Sequence, residues 1–131
     1  GVNYLDTAYL YPGNEEVVGA VLDELGARES VFLATKLPHA SCKRAEDFDR
    51  FFDEQLRRLR TDHIDYYLIH NVTSPSQWER VCALGIEDWI ARQKRSGHSP
   101  DRFFVSRKRR GLSRDAGCLR VGFLPSPVQL C

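Results

Sequence analysis

The sequence lacks the features that mark membrane, secreted and metal-binding proteins. No apolar run approaches the ~18 residues that a membrane-spanning helix needs, and the N-terminus shows no basic start followed by an apolar signal-peptide core. Its cysteines form no C-x-x-C pair and have no histidine at ligand spacing; they are Cys42, Cys82, Cys118 and Cys131. We therefore expect a cytoplasmic protein with reduced thiols, no metal site and no membrane partner.

Methionine is also absent, and the chain opens on residues typical of the middle of a strand. We therefore expect the 131 residues to be a fragment. The composition is that of a globular protein, since 42% of residues are apolar and 28% are charged, with a net charge of +1.

The chain as a whole has almost no net charge, but its charged residues are unevenly distributed. Residues 97–131 contain seven Lys/Arg and two Asp/Glu, whereas residues 1–96 contain twelve and sixteen. This change of composition near Gly97 predicts two regions, a globular part over 1–96 and a basic tail over 97–131.

Residues 1–96 alternate between strand patterns and helical patterns. We expect strands at Val2–Thr7, Val31–Lys36 and His63–Asn71. Helical periodicity follows each strand: after the turn at Pro12-Gly13 with Asn14 as N-cap, over Arg44–Arg60, and over Trp78–Ile90 with a kink at Gly85. Strands that alternate with helices indicate right-handed βαβ units, and the fold class is therefore α/β with a parallel sheet.

A polar residue ends each predicted strand. Asp6 follows VNYL, Lys36 follows VFLAT, and His70 follows IDYYLI. The carboxyl ends of parallel strands lie on one rim of the sheet, which is where α/β barrels place their chemistry. A single polar strand end is usually just the point where a chain enters solvent, but three in register predict a site.

Tyr11 lies in the loop that follows the first of these strands. A nearby ammonium favours the phenolate form of a tyrosine, and Lys36 could supply that charge. Asp6 is the carboxylate expected to hold Lys36, and His70 could donate a hydrogen bond to a substrate oxygen. A tyrosine whose phenolate is stabilised by a nearby ammonium, beside an imidazole, suits protonation of a carbonyl oxygen during reduction.

Three stretches, DTAYLYPGNEE, LATKLP and FDEQLRRLRTDHIDYYLIHN, resemble the aldo/keto reductase family. The resemblance covers about residues 1–96. It implies a partial (β/α)8 TIM barrel of about three βα units, the second to the fourth, with the first strand upstream. It also implies a catalytic tetrad of Asp6, Tyr11, Lys36 and His70.

The resemblance further implies hydride transfer from NADP(H), less often NAD(H), to a small-molecule carbonyl substrate. Tyr11 would protonate the oxygen, and Tyr9 and Asn71 would contact the substrate. Cofactor-binding residues are expected mainly in later barrel units outside this chain. The segments ATKLP and SQWERV are similar to those of a branch of the family that has a C-terminal ferredoxin-like segment. An iron–sulfur cluster is therefore expected only in a segment downstream of these residues.

The resemblance ends near Gly97, and the basic run VSRKRRGLSR would make a poor buried strand. Residues from His98 onward can be written in codons that the genetic code allows. If the first base of the His98 codon is dropped, the shifted frame translates as IRQIGFSFHGN, which is similar to the family's fifth strand. We therefore hypothesise a frameshift, and we expect residues 97–131 to be irregular and unstructured.

Two other functions remain open at this point. A barrel-derived protein could bind ligands without catalysis, although the complete tetrad argues against this. A nucleic-acid partner for the basic tail is the weaker alternative. We expect the isolated chain to be inactive, because the later barrel units that hold the cofactor are not among its residues.

Overall fold

The computed structural model describes residues 1–96 and the backbone of residues 103–107. Four strands form one sheet, in the order β1-β2-β3-β4, and every neighbouring pair is parallel. The strands are β1 Tyr4–Asp6, β2 Phe32–Leu37, β3 Tyr66–Val72 and β4 Phe103–Arg107. The helices are α1 Asn14–Glu24, α2 Glu46–Leu59, α3 Pro75–Ala83 and α4 Ile86–Ser96. The sequence-based prediction of a parallel α/β arrangement is confirmed.

The core lies between the sheet and α2 and is rich in aromatic rings. Phe52 packs edge-on against Tyr67 and Trp89, with ring centroids 5.1 and 5.6 Å apart. Phe48 also lies against Trp89, at 5.9 Å. Because α2 carries its phenylalanines at helical spacing, one face of this helix is buried against β3 and α4.

Helices α1 and α2 approach each other closely at Gly19. A Cβ atom on Gly19 would lie 2.4 Å from the carbonyl oxygen of Arg58. No side chain larger than hydrogen fits at that distance without movement of the α2 backbone. The glycine therefore sets the spacing of the two helices, which fixes the position of α1 against the sheet.

The helix ends differ in detail from the sequence-based expectation. Gly13, with φ +70°, precedes α1, so Asn14 is the first helical residue and not the cap. Its Oδ1 accepts a hydrogen bond of 2.6 Å from the Thr7 hydroxyl. Gly85, with φ +89°, separates α3 from α4, so the expected kink is a break between two helices.

The expectation of an irregular tail is wrong for residues 103–107. The run FFVSR forms β4, whose backbone pairs with β3 from Tyr67 opposite Phe103 to Val72 opposite Arg107. Aromatic and β-branched residues favour extended backbone, and among the described strands β3 supplies the hydrogen-bonding partner of β4. The remaining tail, 97–102 and 108–131, lies outside the described residues, so the expectation for it stays a prediction.

Two expectations from the sequence, reduced thiols and the lack of a membrane-spanning helix, can be compared with the described part of the chain. Among the described residues, neither Cys42 nor Cys82 forms a disulfide bond, and burial raises the pKa of Cys42 to about 12, so the Cys42 thiol is unreactive at neutral pH. Cys118 and Cys131 lie outside the described residues. None of the helices described is long and apolar enough to cross a bilayer.

Candidate active site

The carboxyl ends of β1, β2 and β3 lie on one rim of the sheet. Asp6 pairs with Ala34, and Lys36 pairs with Leu68, two residues before His70. The parallel register therefore brings the polar ends of all three strands to the same edge, as the sequence predicted.

The Lys36 ammonium is held by two oxygens from β1 and the residue after it. Its Nζ lies 2.7 Å from Asp6 Oδ2 and 2.7 Å from the main-chain oxygen of Thr7. The Lys36 side chain is 9% exposed and that of Asp6 is 41% exposed. Burial of a charge is costly unless it is paired, and here a carboxylate and a carbonyl share that task.

Tyr11 completes the group from the loop between β1 and α1. Lys36 Nζ lies 5.4 Å from the centre of the Tyr11 ring. The same ring meets the His70 imidazole edge-on, with centroids 6.0 Å apart and planes at 87°. The loop is held in a tight turn, because the amide of Tyr11 donates to the carbonyl of Ala8. The structure thus brings together all four residues of the expected tetrad.

His70 is partly buried and keeps one ring nitrogen without a partner among the described residues. Its Nδ1 is buried and has no hydrogen-bond partner there. Burial lowers the pKa of His70, the positive charge of Lys36 lowers it further, and Asp6 acts in the opposite direction. The imidazole is therefore neutral at neutral pH, which leaves it one N–H donor and one acceptor.

An irregularity in β3 lies at His70. The register between β3 and β4 shifts between Ile69 and Val72, and Asn71 has φ +55°. A bulge re-aims side chains next to active sites, and the left-handed backbone of Asn71 is the local cause here. The only sequence signal for this bulge is the asparagine itself, a residue type that tolerates positive φ.

Tyr9 and Asn71 were expected to contact substrate, and the structure does not bring Tyr9 to the group. The Tyr9 hydroxyl donates to Glu54 Oε2 at 3.0 Å, and its ring packs against Phe51 and the Arg58 guanidinium. All these partners belong to α2, so Tyr9 fastens the loop to that helix. Asn71 is exposed beside His70, and its backbone hydrogen-bonds His39.

Sequence reasoning missed a buried polar cluster beneath the rim. It consists of Glu15, Thr35, Gln55 and Tyr67, each with no measurable exposure. Thr35 Oγ1 donates to Glu15 Oε1 at 2.6 Å, and Gln55 Nε2 donates to the same oxygen at 2.7 Å. A signal existed, because Gln55 falls on the α2 stripe that otherwise carries phenylalanine and leucine. Leu56, the next residue of the helix, is only partly buried.

A separate hollow of about 460 Å³ opens between the loop after β2 and α3. Its walls include His39, Cys42 and Arg80. Arg80 donates to the carbonyl oxygens of Cys42 and His39 at 2.8 and 2.6 Å, so its guanidinium holds the loop in place. The tetrad residues do not line this hollow.

The sequence of this chain matches a known protein family. The family model described as aldo/keto reductase matches residues 1–108, which includes all four rim residues and continues beyond residue 96. The chain belongs to the aldo/keto reductase family. The match also covers β4.

Curated members of the aldo/keto reductase family are similar over part of their length. Methylglyoxal reductase YeaE of Escherichia coli is 38% identical over 96 residues, which are 72% of this chain and 32% of that protein. Glycerol 2-dehydrogenase (NADP(+)) of Saccharomyces cerevisiae is 34% identical over 70 residues, 53% of this chain and 22% of that enzyme. The chain therefore spans about a third or less of these two proteins.

Solved structures of the family show the same fold. An aldo/keto reductase from Brucella melitensis has a TM-score of 0.66 and 33% identity, over 83% of this chain and 40% of that one. One from Klebsiella pneumoniae in complex with NADP and acetate has a TM-score of 0.60 and 29% identity, over 80% and 34%. The four strands and their helices are thus part of a TIM barrel of this family.

Proposed function

We propose that the protein to which these residues belong reduces an aldehyde or ketone to an alcohol with NADPH or NADH. The observation that carries the proposal is the Tyr11 phenol. The centre of its ring lies 5.4 Å from the Lys36 ammonium, which Asp6 holds, and the ring meets the His70 imidazole edge-on. Carbonyl reduction needs a proton donor at the oxygen, and this arrangement supplies one.

Each residue has a distinct role in the proposed reaction. Tyr11 donates the proton to the carbonyl oxygen, and the positive charge of Lys36 stabilises the phenolate that remains. Asp6 holds the Lys36 ammonium in place through their contact of 2.7 Å. The neutral imidazole of His70 donates a hydrogen bond to the same substrate oxygen and orients it.

The residues present fit the reactive end of a nicotinamide cofactor. The rim offers a proton donor and a partly buried imidazole whose Nδ1 has no partner within the described residues. When bound, a reduced nicotinamide supplies hydride to the carbonyl carbon. Two similar proteins, a glycerol 2-dehydrogenase (NADP(+)) and a reductase in complex with NADP, support NADP(H) for this chain. The cytoplasmic location and an iron–sulfur segment remain predictions from the sequence.

The 131-residue polypeptide by itself is proposed to be inactive. It spans 34–40% of the two reductase structures described above. Among the described strands, β1 and β4 are paired on one side only, and two open edges make a parallel sheet marginal. Oxidation of NADPH by the purified 131-residue chain in the presence of a carbonyl compound would contradict this proposal.

The reading frame is the first point to test. Sequencing the encoding DNA from the codon of Lys94 to beyond Cys131 shows whether a base is missing or extra near Gly97. We expect such a change, and the corrected product is then assayed with methylglyoxal and a panel of aldehydes and ketones. An unaltered frame would overturn the frameshift hypothesis.

Two variants of the corrected product separate catalysis from binding. Tyr11→Phe keeps the ring but removes the proton donor, and we expect kcat to fall by roughly 10²-fold or more. Tyr4→Phe, at the first residue of β1, also removes a phenol hydroxyl; it is the control and keeps its activity. If the corrected protein binds NADPH but reduces no carbonyl compound, the non-catalytic binding function is favoured instead.

A further inference from the structure

The side-chain amide of Gln55 makes contacts with three other elements of the fold. Gln55 lies on α2, and its Nε2 is 2.7 Å from Glu15 Oε1 and 2.9 Å from Thr35 Oγ1. The same nitrogen is 3.1 Å from the main-chain oxygen of Lys36. Its Oε1 accepts a hydrogen bond of 2.5 Å from the Tyr67 hydroxyl.

The amide can adopt only one orientation in this cluster. Burial raises the pKa of Tyr67 well above its usual value, so the phenol keeps its proton and donates it. A flipped Gln55 amide would direct its oxygen at the Glu15 carboxylate and at the Lys36 carbonyl, which are both acceptors. The amide nitrogen must therefore face α1 and β2, while the oxygen faces β3.

Each partner of Gln55 lies close in sequence to a residue of the rim group. Glu15 is in the first turn of α1, four residues after Tyr11. Lys36 is itself a partner through its main-chain oxygen. Tyr67 lies on β3, three residues before His70. One buried amide thus connects the three segments that carry the proton donor, the ammonium and the imidazole.

We propose that Gln55 is a positioning residue, whose amide fixes the relative placement of Tyr11, Lys36 and His70. It acts through Glu15, the Lys36 carbonyl and Tyr67, and it touches neither substrate nor cofactor. The consequence for turnover rests on the proposed function, whereas the consequence for geometry does not. Misplacement of a reacting group by about 1 Å can cost on the order of 10²-fold in rate.

A matched control exists at the other end of the same strands. Arg28 donates to Asp65 Oδ2 at 2.8 Å and to the carbonyl oxygens of Val31 and His63. Asp65 in turn accepts from the amide of Leu33 at 2.8 Å. Arg28 therefore anchors β2 and β3 at their amino ends, and its loss weakens the sheet without touching the rim.

The first test compares Gln55→Met with Arg28→Met in the 131-residue chain by NMR. Methionine matches glutamine in length but offers no amide hydrogen bonds. We expect Gln55→Met to speed amide exchange about tenfold at Lys36, Leu37 and Ile69 relative to the amino ends of the strands, and Arg28→Met to do the reverse. We also expect only Gln55→Met to move the titration midpoint of His70. Equal acceleration at both ends, with His70 unchanged, would overturn the proposal.

A milder variant covers the case in which Gln55→Met does not fold. Tyr67→Phe removes only the hydroxyl that connects Gln55 to β3. The His70 midpoint should then move while the Lys36 amide keeps its exchange rate. An unmoved His70 midpoint in this variant would refute the positioning role.

Kinetics of the frame-corrected enzyme separate this inference from the proposed function. Gln55→Met should lower kcat by roughly ten- to a hundredfold with KM nearly unchanged, because the reacting groups are misplaced while the pocket walls remain. A changed KM with constant kcat would contradict the inference. If the corrected enzyme reduces no carbonyl compound, the proposed function fails, and the NMR comparison still decides whether Gln55 positions the rim group.

Discussion

Lys36 Nζ and Asp6 Oδ2 lie 2.7 Å apart although 30 residues separate them in the chain. The parallel pairing of β1 with β2 produces this contact, because Asp6 lies opposite Ala34 and side chains two residues apart share one face of a strand. The pair is asymmetric: the lysine side chain is 9% exposed, whereas the aspartate is 41% exposed. The carboxylate therefore serves mainly to offset the burial of the ammonium.

Removal of the Asp6 charge tests that interpretation. Asp6→Asn leaves a buried ammonium with only the Thr7 carbonyl, and we expect a loss of about 1–2 kcal/mol in the free energy of unfolding after allowance for the exposure of Asp6. Urea unfolding measures it. Asp23→Asn breaks a comparable contact to Arg60 of 2.9 Å between two exposed side chains, and should cost less than about 0.5 kcal/mol. Equal losses in the two variants would contradict the assigned role.

The rim could be predicted from the sequence because its signals are local. An apolar run followed by a polar residue marks a strand end, and the parallel order then brings Asp6, Lys36 and His70 to one edge. The direction of Tyr9 could not be predicted in this way. Both Tyr9 and Tyr11 lie in one loop, and only packing against α2 decides which ring faces the helix and which faces the rim.

The buried cluster around Gln55 and strand β4 were both missed from the sequence, for different reasons. A glutamine on a helix is normally solvated, and its burial depends on partners that come from α1, β2 and β3 at once. Strand β4 was missed because the charge of the region 97–131 was averaged, although FFVSR itself carries strand-forming residues. The partners of a buried amide and the pairing of a short strand in a basic segment are both decided by the tertiary structure.

The close approach of α1 and α2 predicts an unusual response to alanine. Gly19→Ala raises helix propensity by about 1 kcal/mol, but the new methyl group would meet the Arg58 carbonyl at 2.4 Å. We expect a net loss of about 1–3 kcal/mol, because the clash is with backbone. Val17→Ala, at an exposed position on the same helix, is the control and should change stability by less than about 0.5 kcal/mol. Stabilisation by Gly19→Ala in thermal or urea unfolding would show that the helices can separate freely.

The buried His39 and the partly buried His70 predict how stability changes between pH 8 and pH 5. Burial lowers the pKa of both His70 and His39 below the value near 6.5 of the unfolded chain. As pH falls through about 6.5, the unfolded state takes up protons before the folded state does, so the free energy of unfolding decreases. The contribution of these residues is therefore present above that pH and lost below it. Urea unfolding at several pH values should show this slope, and the double variant His70→Gln, His39→Gln should flatten it. A slope of the opposite sign would refute the assignment.

Asp47 predicts a second, separate loss of stability at lower pH. Its carboxylate accepts hydrogen bonds from the amides of Lys43 and Arg44, at 2.8 and 3.0 Å, and from the Arg50 guanidinium. These contacts lower the pKa of Asp47 to about 2, and the hydrogen bond from the Lys43 amide has the largest effect. The unfolded carboxyl takes up its proton near pH 3.8, so the stabilisation is complete above that value and disappears as pH falls towards 2. We expect Asp47→Asn to be less stable than the parent chain at pH 6, and most of this difference to be lost at pH 2, by circular dichroism during urea unfolding. Asp53→Asn, an exposed position on the same helix, should match the parent chain at pH 6, and a constant difference for Asp47→Asn between pH 6 and pH 2 would exclude the carboxylate as the cause.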